Sequence, residues 1–197
     1  MKPFSEASAE NQEPILTILH QAFAQVRTVL EIGSGTGQHA VHFGRHLPHL
    51  VWKTSDLAQN HLGINLWLEE AALHNIQPPI ALDVNLLPWA IEAVDGVFTA
   101  NTLHIVSWHE VECLFRGVGQ VLLPGGVMCV YGPFNYAGQF TSPSNARFDA
   151  WLKARDPNSG VRDAEAVCAL AKQQGLVLEA DHSMPVNNRT LVFRKSV

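Results

Sequence analysis

The chain is short of cysteine, short of charge and shorter still of basic charge, and it has no long apolar run. Its three cysteines, Cys113, Cys129 and Cys168, are too few and too scattered for a disulfide frame. They read as reduced and buried, which points to the cytoplasm. Charged residues make up only 16 % of the 197 positions. Lys and Arg number 13 against 18 Asp and Glu, a formal net charge of −5. A protein whose main task is gripping phosphates of nucleic acid needs a basic excess, so no nucleic-acid partner is expected. No apolar run approaches the roughly 18 residues of a membrane span, and no N-terminal stretch has signal-peptide form. A small-molecule substrate is left as the expected partner. Nothing in the pattern specifies an oligomeric state.

What is present is a hydrophobic fraction of 47 % and ten histidines. The length fits one domain. Residues 1–13 are polar and weakly periodic, and read as an arm or lid; residues 14–197 read as a single domain. From Pro14, the spacing of Ile15, Leu16, Ile18, Leu19, Ala22 and Phe23 predicts a helix, with the proline in its first turn. Short β-branched runs predict strands at Thr28–Ile32, Leu50–Thr54, Ile80–Leu82, Gly96–Ala100 and Val127–Tyr131. Helical spacing separates them at Gln38–Leu47, Asn60–His74 and from Ser107, which with Glu110 fits a capping box. A short helix around Asn145–Arg155 and a last one from Asp163 to Gln174 follow, the latter stopped by Gly175. Strands Leu176–Asp181 and Thr190–Arg194 close the chain. Alternation of this kind predicts an α/β fold with a mostly parallel, seven-stranded sheet, helices on both faces and an antiparallel last strand.

The strongest motif is Glu31-Ile32-Gly33-Ser34-Gly35-Thr36-Gly37, between a strand and a helix. Glycines there let the backbone turn sharply and approach a ligand. The free N–H groups of the helix start favour a polar or anionic group. Asp56 ends the next strand, where a carboxylate can accept hydrogen bonds from both ribose hydroxyls. The dinucleotide fingerprint is G-x-G-x-x-G, but here the third glycine comes one residue early. Glu31, two residues before the first glycine, would repel a pyrophosphate and welcome an ammonium or a sulfonium.

This pattern resembles the first motif of the class I S-adenosylmethionine-dependent methyltransferases, whose fold is Rossmann-like. Asp56 and Leu57 match the ribose-binding end of the second strand. Asp83 and Val84 match the end of the third, where adenine is met. Asn101-Thr102-Leu103-His104 matches the end of the fourth, where the cofactor's amino-acid part meets the substrate. The resemblance thus implies S-adenosyl-L-methionine as cofactor, held by Glu31, Gly33, Ser34, Gly35, Gly37, Asp56, Leu57, Asp83, Val84, Asn101 and Leu103. Phe4-Ser5-Glu6-Ala7-Ser8-Ala9-Glu10-Asn11, Ala100–Ile105 and Met184–Asn188 are similar to the domain-of-unknown-function 938, or methyltransferase-like protein 26, family. That family often has a basic residue where this chain has Glu10.

His104 is the candidate acid–base residue, since imidazole titrates near neutrality. It could equally pack against the cofactor or hold a loop. Loops after the fourth and fifth strands shape the substrate pocket in such folds, which makes Trp108, Asn135, Tyr136 and Arg147 candidates. Tyr131 lies beside them. Phe4, Ser5 and Asn11 belong to the arm, which could fold over the site as a lid, and Asn11 joins the pocket candidates. His39, His42 and His46 share one helix, but no further ligand signature joins them and no metal is expected. The leading reading is methyl transfer to a small acceptor. The alternatives are an NAD(P)-dependent oxidoreductase and a non-catalytic S-adenosylmethionine-binding protein. Against the oxidoreductase stand the glycine spacing and the lack of a Tyr-x-x-x-Lys pair: Asn135 and Phe140 stand four residues after Tyr131 and Tyr136.

Overall fold

Strands rich in Val, Ile and Leu need cover on both faces, and the helices between them supply it. A computed structural model describes residues 2–197. The elements run α1 (Glu6–Ala22), β1 (Thr28–Ile32), α2 (Gln38–His46), β2 (Val51–Asp56), α3 (His61–Ala71) and β3 (Ile76–Ala81). The second half runs β4 (Val94–Ala100), α4 (Trp108–Val121), β5 (Leu122–Asn135), α5 (Pro143–Arg155), β6 (Arg162–Asp163), α6 (Ala164–Gln173), β7 (Leu176–Ser183) and β8 (Asn188–Lys195). They form one mixed sheet in the order β3-β2-β1-β4-β5-β8-β7. β8 is antiparallel to both neighbours, and the other pairs are parallel. The order reverses between β1 and β4, and ligands of open α/β sheets bind at the carboxyl ends flanking such a switch point.

Two apolar layers hold the sheet. On one face Ile15, Leu19, Phe23, Phe43, Trp52 and Phe98 pack under α1 and α2. On the other, Leu30, Val97, Leu114, Phe115, Val118, Val167 and Phe193 pack under α4 and α6. The predicted helix starts and stops are present where a cap defines them. Ser107 and Glu110 make both bonds of the capping box, and Gly175 takes a left-handed φ of 74°.

Four sequence expectations need correction. The helix read from Pro14 begins at Glu6, so most of the presumed arm is helical. Ser5 caps it by accepting the Ser8 N–H at 3.2 Å. Its buried stripe runs Asn11, Ile15, Leu19, and the polar Asn11 hid the i, i+4 continuation. β3 begins at Ile76 and includes Pro78 and Pro79; it is an edge strand, where missing N–H groups are tolerated. β5 runs through Pro124-Gly125-Gly126 instead of starting after them, with a register shift opposite Val94 and Gly96. Finally, the sheet has eight strands rather than seven, because the two-residue β6 adds to the far end of β5 through Phe134 and Asn135. Of the cysteines, Cys113 and Cys129 are buried, Cys168 is half-buried, and all three are free. Among the described residues, no helix is long and apolar enough to cross a membrane.

Candidate cofactor and acceptor site

The glycine loop leaves β1 with three left-handed residues: Gly33 at φ 75°, Gly35 at 57° and Gly37 at 88°. Two of them are also fixed by space. A Cβ on Gly33 would meet Thr102 Oγ1 at 2.8 Å, and one on Gly37 would meet the Ile64 backbone at 3.1 Å. The N–H groups of Gly33 and Ser34 both donate to the Ser55 carbonyl at 3.0 Å. β1 and β2 thus jointly shape the turn.

Asp56 latches onto this loop. Its Oδ2 accepts the Gly35 N–H at 2.7 Å, and its Oδ1 accepts Leu57 N–H and Asn60 Nδ2, each at 2.7 Å. A carboxylate offers roughly four acceptor sites. Three are used, so a ribose hydroxyl can still be met at Oδ2. Glu31 lies beneath the loop and is only 2 % exposed. Ser34 Oγ at 2.8 Å and Trp52 Nε1 at 3.0 Å donate to the same Glu31 oxygen. Burial raises its pKa to about 7, against the lowering effect of those two bonds. The Asp56 charge raises it a little further. At the end of β3, the Asp83 carboxylate accepts from Asn85 N–H at 2.9 Å. It borders a concavity of about 260 Å³ lined by Leu82, Leu86, Pro88 and Trp89. A second concavity, about 290 Å³, lies at the opposite, amino edge of the sheet around Val26, Asp95 and Gly126.

β4 is followed by the left-handed Asn101, φ 57°, whose N–H donates to the Tyr131 carbonyl at 2.9 Å. The chain then carries Leu103 and His104, both buried. The His104 ring packs edge-on to Phe148 of α5 at 5.2 Å. A Cβ on Gly132 of β5 would lie 3.5 Å from His104 Nδ1 and 3.9 Å from Asn101 Oδ1, so the imidazole and the Asn101 amide converge on one point of β5. Burial, and secondarily the Arg162 charge, push the His104 pKa down to about 4.

The other sequence candidates part company here. Asn135 stays at the end of β5, and its Oδ1 is buried without a partner. Trp108 begins α4, half-buried, with the Arg162 guanidinium 5.9 Å from its ring centre. Arg147 is exposed on α5. Tyr136 is turned to a brace, its hydroxyl donating to Asp181 at 2.7 Å beside Arg189. Asn11 is committed between α1 and α2, with its Oδ1 2.7 Å from His39 Nε2. The Tyr131 hydroxyl accepts from Asn188 Nδ2 at 2.9 Å. Residues 2–5 form a strap across α3. Trp67 Nε1 donates to the Pro3 carbonyl at 2.7 Å, and Ser5 is bonded by Gln38 at the start of α2.

Two of the helix-borne histidines have local partners: His39 meets Asn11, and His46 Nδ1 lies 2.8 Å from the His42 carbonyl. His42 Nε2 is buried without a hydrogen-bond partner, 3.4 Å from Glu13. Sequence reasoning missed Arg162 and Ser159, which hold the His104 loop, and Trp52 and Asn60, which hold the two acids. No local motif marks any of them.

A family model described as "Protein of unknown function (DUF938)" matches residues 2–195. The chain belongs to this family. Its fold is similar to an O-methyltransferase family protein from Burkholderia thailandensis. The two share 17 % identity at a TM-score of 0.81, over 94 % of this chain and 56 % of that one. A mitomycin 7-O-methyltransferase matches at TM-score 0.83 and 16 % identity, over 96 % and 54 %. Human N-acetylserotonin methyltransferase, solved with S-adenosylmethionine, matches at TM-score 0.78 and 16 % identity, over 98 % and 53 %. The chain thus spans a little over half the length of these solved structures, and it shares with them the class I methyltransferase fold.

Proposed function

We propose that the protein binds S-adenosylmethionine along the carboxyl edge of β1–β4 and transfers its methyl group to a small acceptor. The observation that carries this reading is the latch between the glycine loop and Asp56, with the buried Glu31 beneath it. That set suits a nucleoside bearing a cation and suits a pyrophosphate poorly. Gly33, Ser34, Gly35 and Gly37 would line the cofactor, Asp56 and Leu57 its ribose, and Asp83 and Val84 its adenine. Asn101 and Leu103 would meet its amino-acid part. When bound, this cofactor supplies an electrophilic methyl on a sulfonium, open to in-line displacement.

The chain's own residues have the complementary tasks of alignment and exclusion of water. The buried His104 is neutral at every pH well above 4. A base of that strength takes a proton as the acceptor develops positive charge on methylation. Asn135 Oδ1, buried and unpartnered, would accept a hydrogen bond from the acceptor. Trp108 and Arg147 would flank it, and the strap of residues 2–5 would close the edge beside α2 as a lid. Asn11 and Tyr136 have other partners and drop out of the pocket. Calorimetry with S-adenosylhomocysteine and with NADH tests the cofactor assignment, and a labelled-methyl product search tests turnover. Binding without turnover would favour the non-catalytic reading; NADH binding alone would favour the oxidoreductase.

A further inference from the structure

Four consecutive carbonyls in the loop after β4 are captured by one distant segment. Arg162 Nε donates to the Leu103 carbonyl at 2.9 Å, and the Gly160 N–H donates to that of His104 at 2.9 Å. Ser159 Oγ donates to the Ile105 carbonyl at 2.5 Å, and Arg162 Nη2 donates to that of Val106. The same guanidinium nitrogen reaches back to the Asn158 carbonyl at 2.9 Å. A loop normally leaves such groups to water; here none of the four is left.

The segment is itself fixed from α5. The Val161 N–H donates to Asp149 Oδ1 at 2.8 Å, and Asp149 Oδ2 accepts from Lys153 at 2.7 Å. Gly160 has φ 156°, and a Cβ there would strike Asp149 Oδ1 at 2.9 Å. Arg162 makes no ion pair among the described residues. Its donors go to neutral carbonyls, and burial pushes its pKa down while the Asp149 charge opposes that.

We propose that Arg162 is a positioning residue, which with Ser159 and Gly160 clamps the Leu103–Val106 backbone so that His104 stays against Gly132 and Phe148. A lysine has one compact head and cannot reproduce the fork that spans Leu103 and Val106. The clamp also sets a cation beside the imidazole. The charge that acts on His104 is Arg162 on β6, and Asp149, paired with Lys153 on α5, acts on Arg162 in turn.

The proposal adds to the assignment of His104 as base, but its test does not need the methyl acceptor. Imidazole titration by NMR and amide exchange would be measured on the wild type, Arg162→Met and Arg162→Lys. In Arg162→Met the His104 pKa rises toward the ordinary imidazole range. Exchange at the Gly160, Ile105 and Val106 amides accelerates at least tenfold, while His39, on another face, titrates as before. Arg162→Lys keeps the charge, so His104 stays low, yet the three amides still exchange faster. Should Arg162→Met not fold, Arg162→Lys with Ser159→Ala decides by the amide exchange alone. Unchanged protection of the three amides in the folded variants would overturn the clamp. A wild type that fails to bind S-adenosylhomocysteine would overturn the cofactor reading and leave the clamp standing.

Discussion

From Glu31 to Asp83, the carboxyl edge of the sheet is held by residues close in the fold's own order. Gly35 meets Asp56 across 21 positions, and Trp52 meets Glu31 across 21. Each bond joins one strand end to the next strand. From Asn101 to Asn188 the edge is held by segments that arrive from far along the chain. Arg162 reaches Leu103 across 59 positions, and the Asn145 amide reaches the Asn187 carbonyl across 42. The first half, which the proposed reading makes a cofactor cradle, is set by adjacent parallel strands. The second is assembled from loops, where an acceptor site can vary without disturbing the cradle.

The sharpest way to break this comparison is at its two ionisable poles. On the acceptor side, His104→Ala is expected to lower the methyl-transfer rate roughly 10²- to 10⁴-fold, the usual range for a general base. The cradle should keep its affinity for S-adenosylhomocysteine, which calorimetry checks. A rate unaffected by this change would reduce His104 to packing.

On the cradle side, Glu31→Gln keeps an oxygen for both Trp52 and Ser34 and removes the charge. The folded pKa of Glu31 is raised from 4.5 to about 7, so the folded state holds the proton more tightly. Stability from this group is full below pH 4.5 and is lost as pH rises toward 7. Glu31→Gln should therefore stabilise the apo protein at pH 8 by up to about 3 kcal/mol and have no such effect at pH 4. His39 and His104 work in the opposite sense. Burial lowers both to about 4, so their contribution is lost as pH falls from 6.5 to 4. Denaturant unfolding at several pH values separates the two effects. The Glu31 charge should also make affinity for a sulfonium ligand rise through pH 7, and Glu31→Gln should flatten that rise.

A smaller effect is expected from Asp56→Ala. Loss of a charged partner costs about 1.5–3 kcal/mol per hydrogen bond, seen as a ten- to hundredfold weaker S-adenosylhomocysteine affinity. The smallest is expected from Tyr136→Phe, which removes the bond to Asp181 and leaves Arg189 in place. Stability should fall by ~1 kcal/mol with turnover unchanged, since Tyr136 is a brace. A loss of turnover would return it to the acceptor pocket.

The same division explains what could be read without coordinates. The cradle was legible because its chemistry is local: glycines with left-handed φ follow a β-branched run, and acids end the next two strands. The capping box at Ser107 and the stop at Gly175 were legible for the same reason. The start of α1 was not, because Asn11 broke an apolar stripe that continues through it to His39. Pro78 and Pro79 concealed a strand that only an edge position permits. Nothing around Arg162 announces that its guanidinium will seek carbonyls 59 positions earlier. The histidine excess now has a physical account in part. Beyond His39, His49 and His61 hydrogen-bond the Phe23 and Asp56 carbonyls, and so act as struts rather than ligands.

Titration calorimetry of the wild-type chain with S-adenosylhomocysteine, run beside NADH, bears most directly on the central claim. The account predicts one-to-one binding of S-adenosylhomocysteine, weakened by Asp56→Ala, and none of NADH. Binding of NADH alone, or S-adenosylhomocysteine affinity indifferent to Asp56, would contradict it.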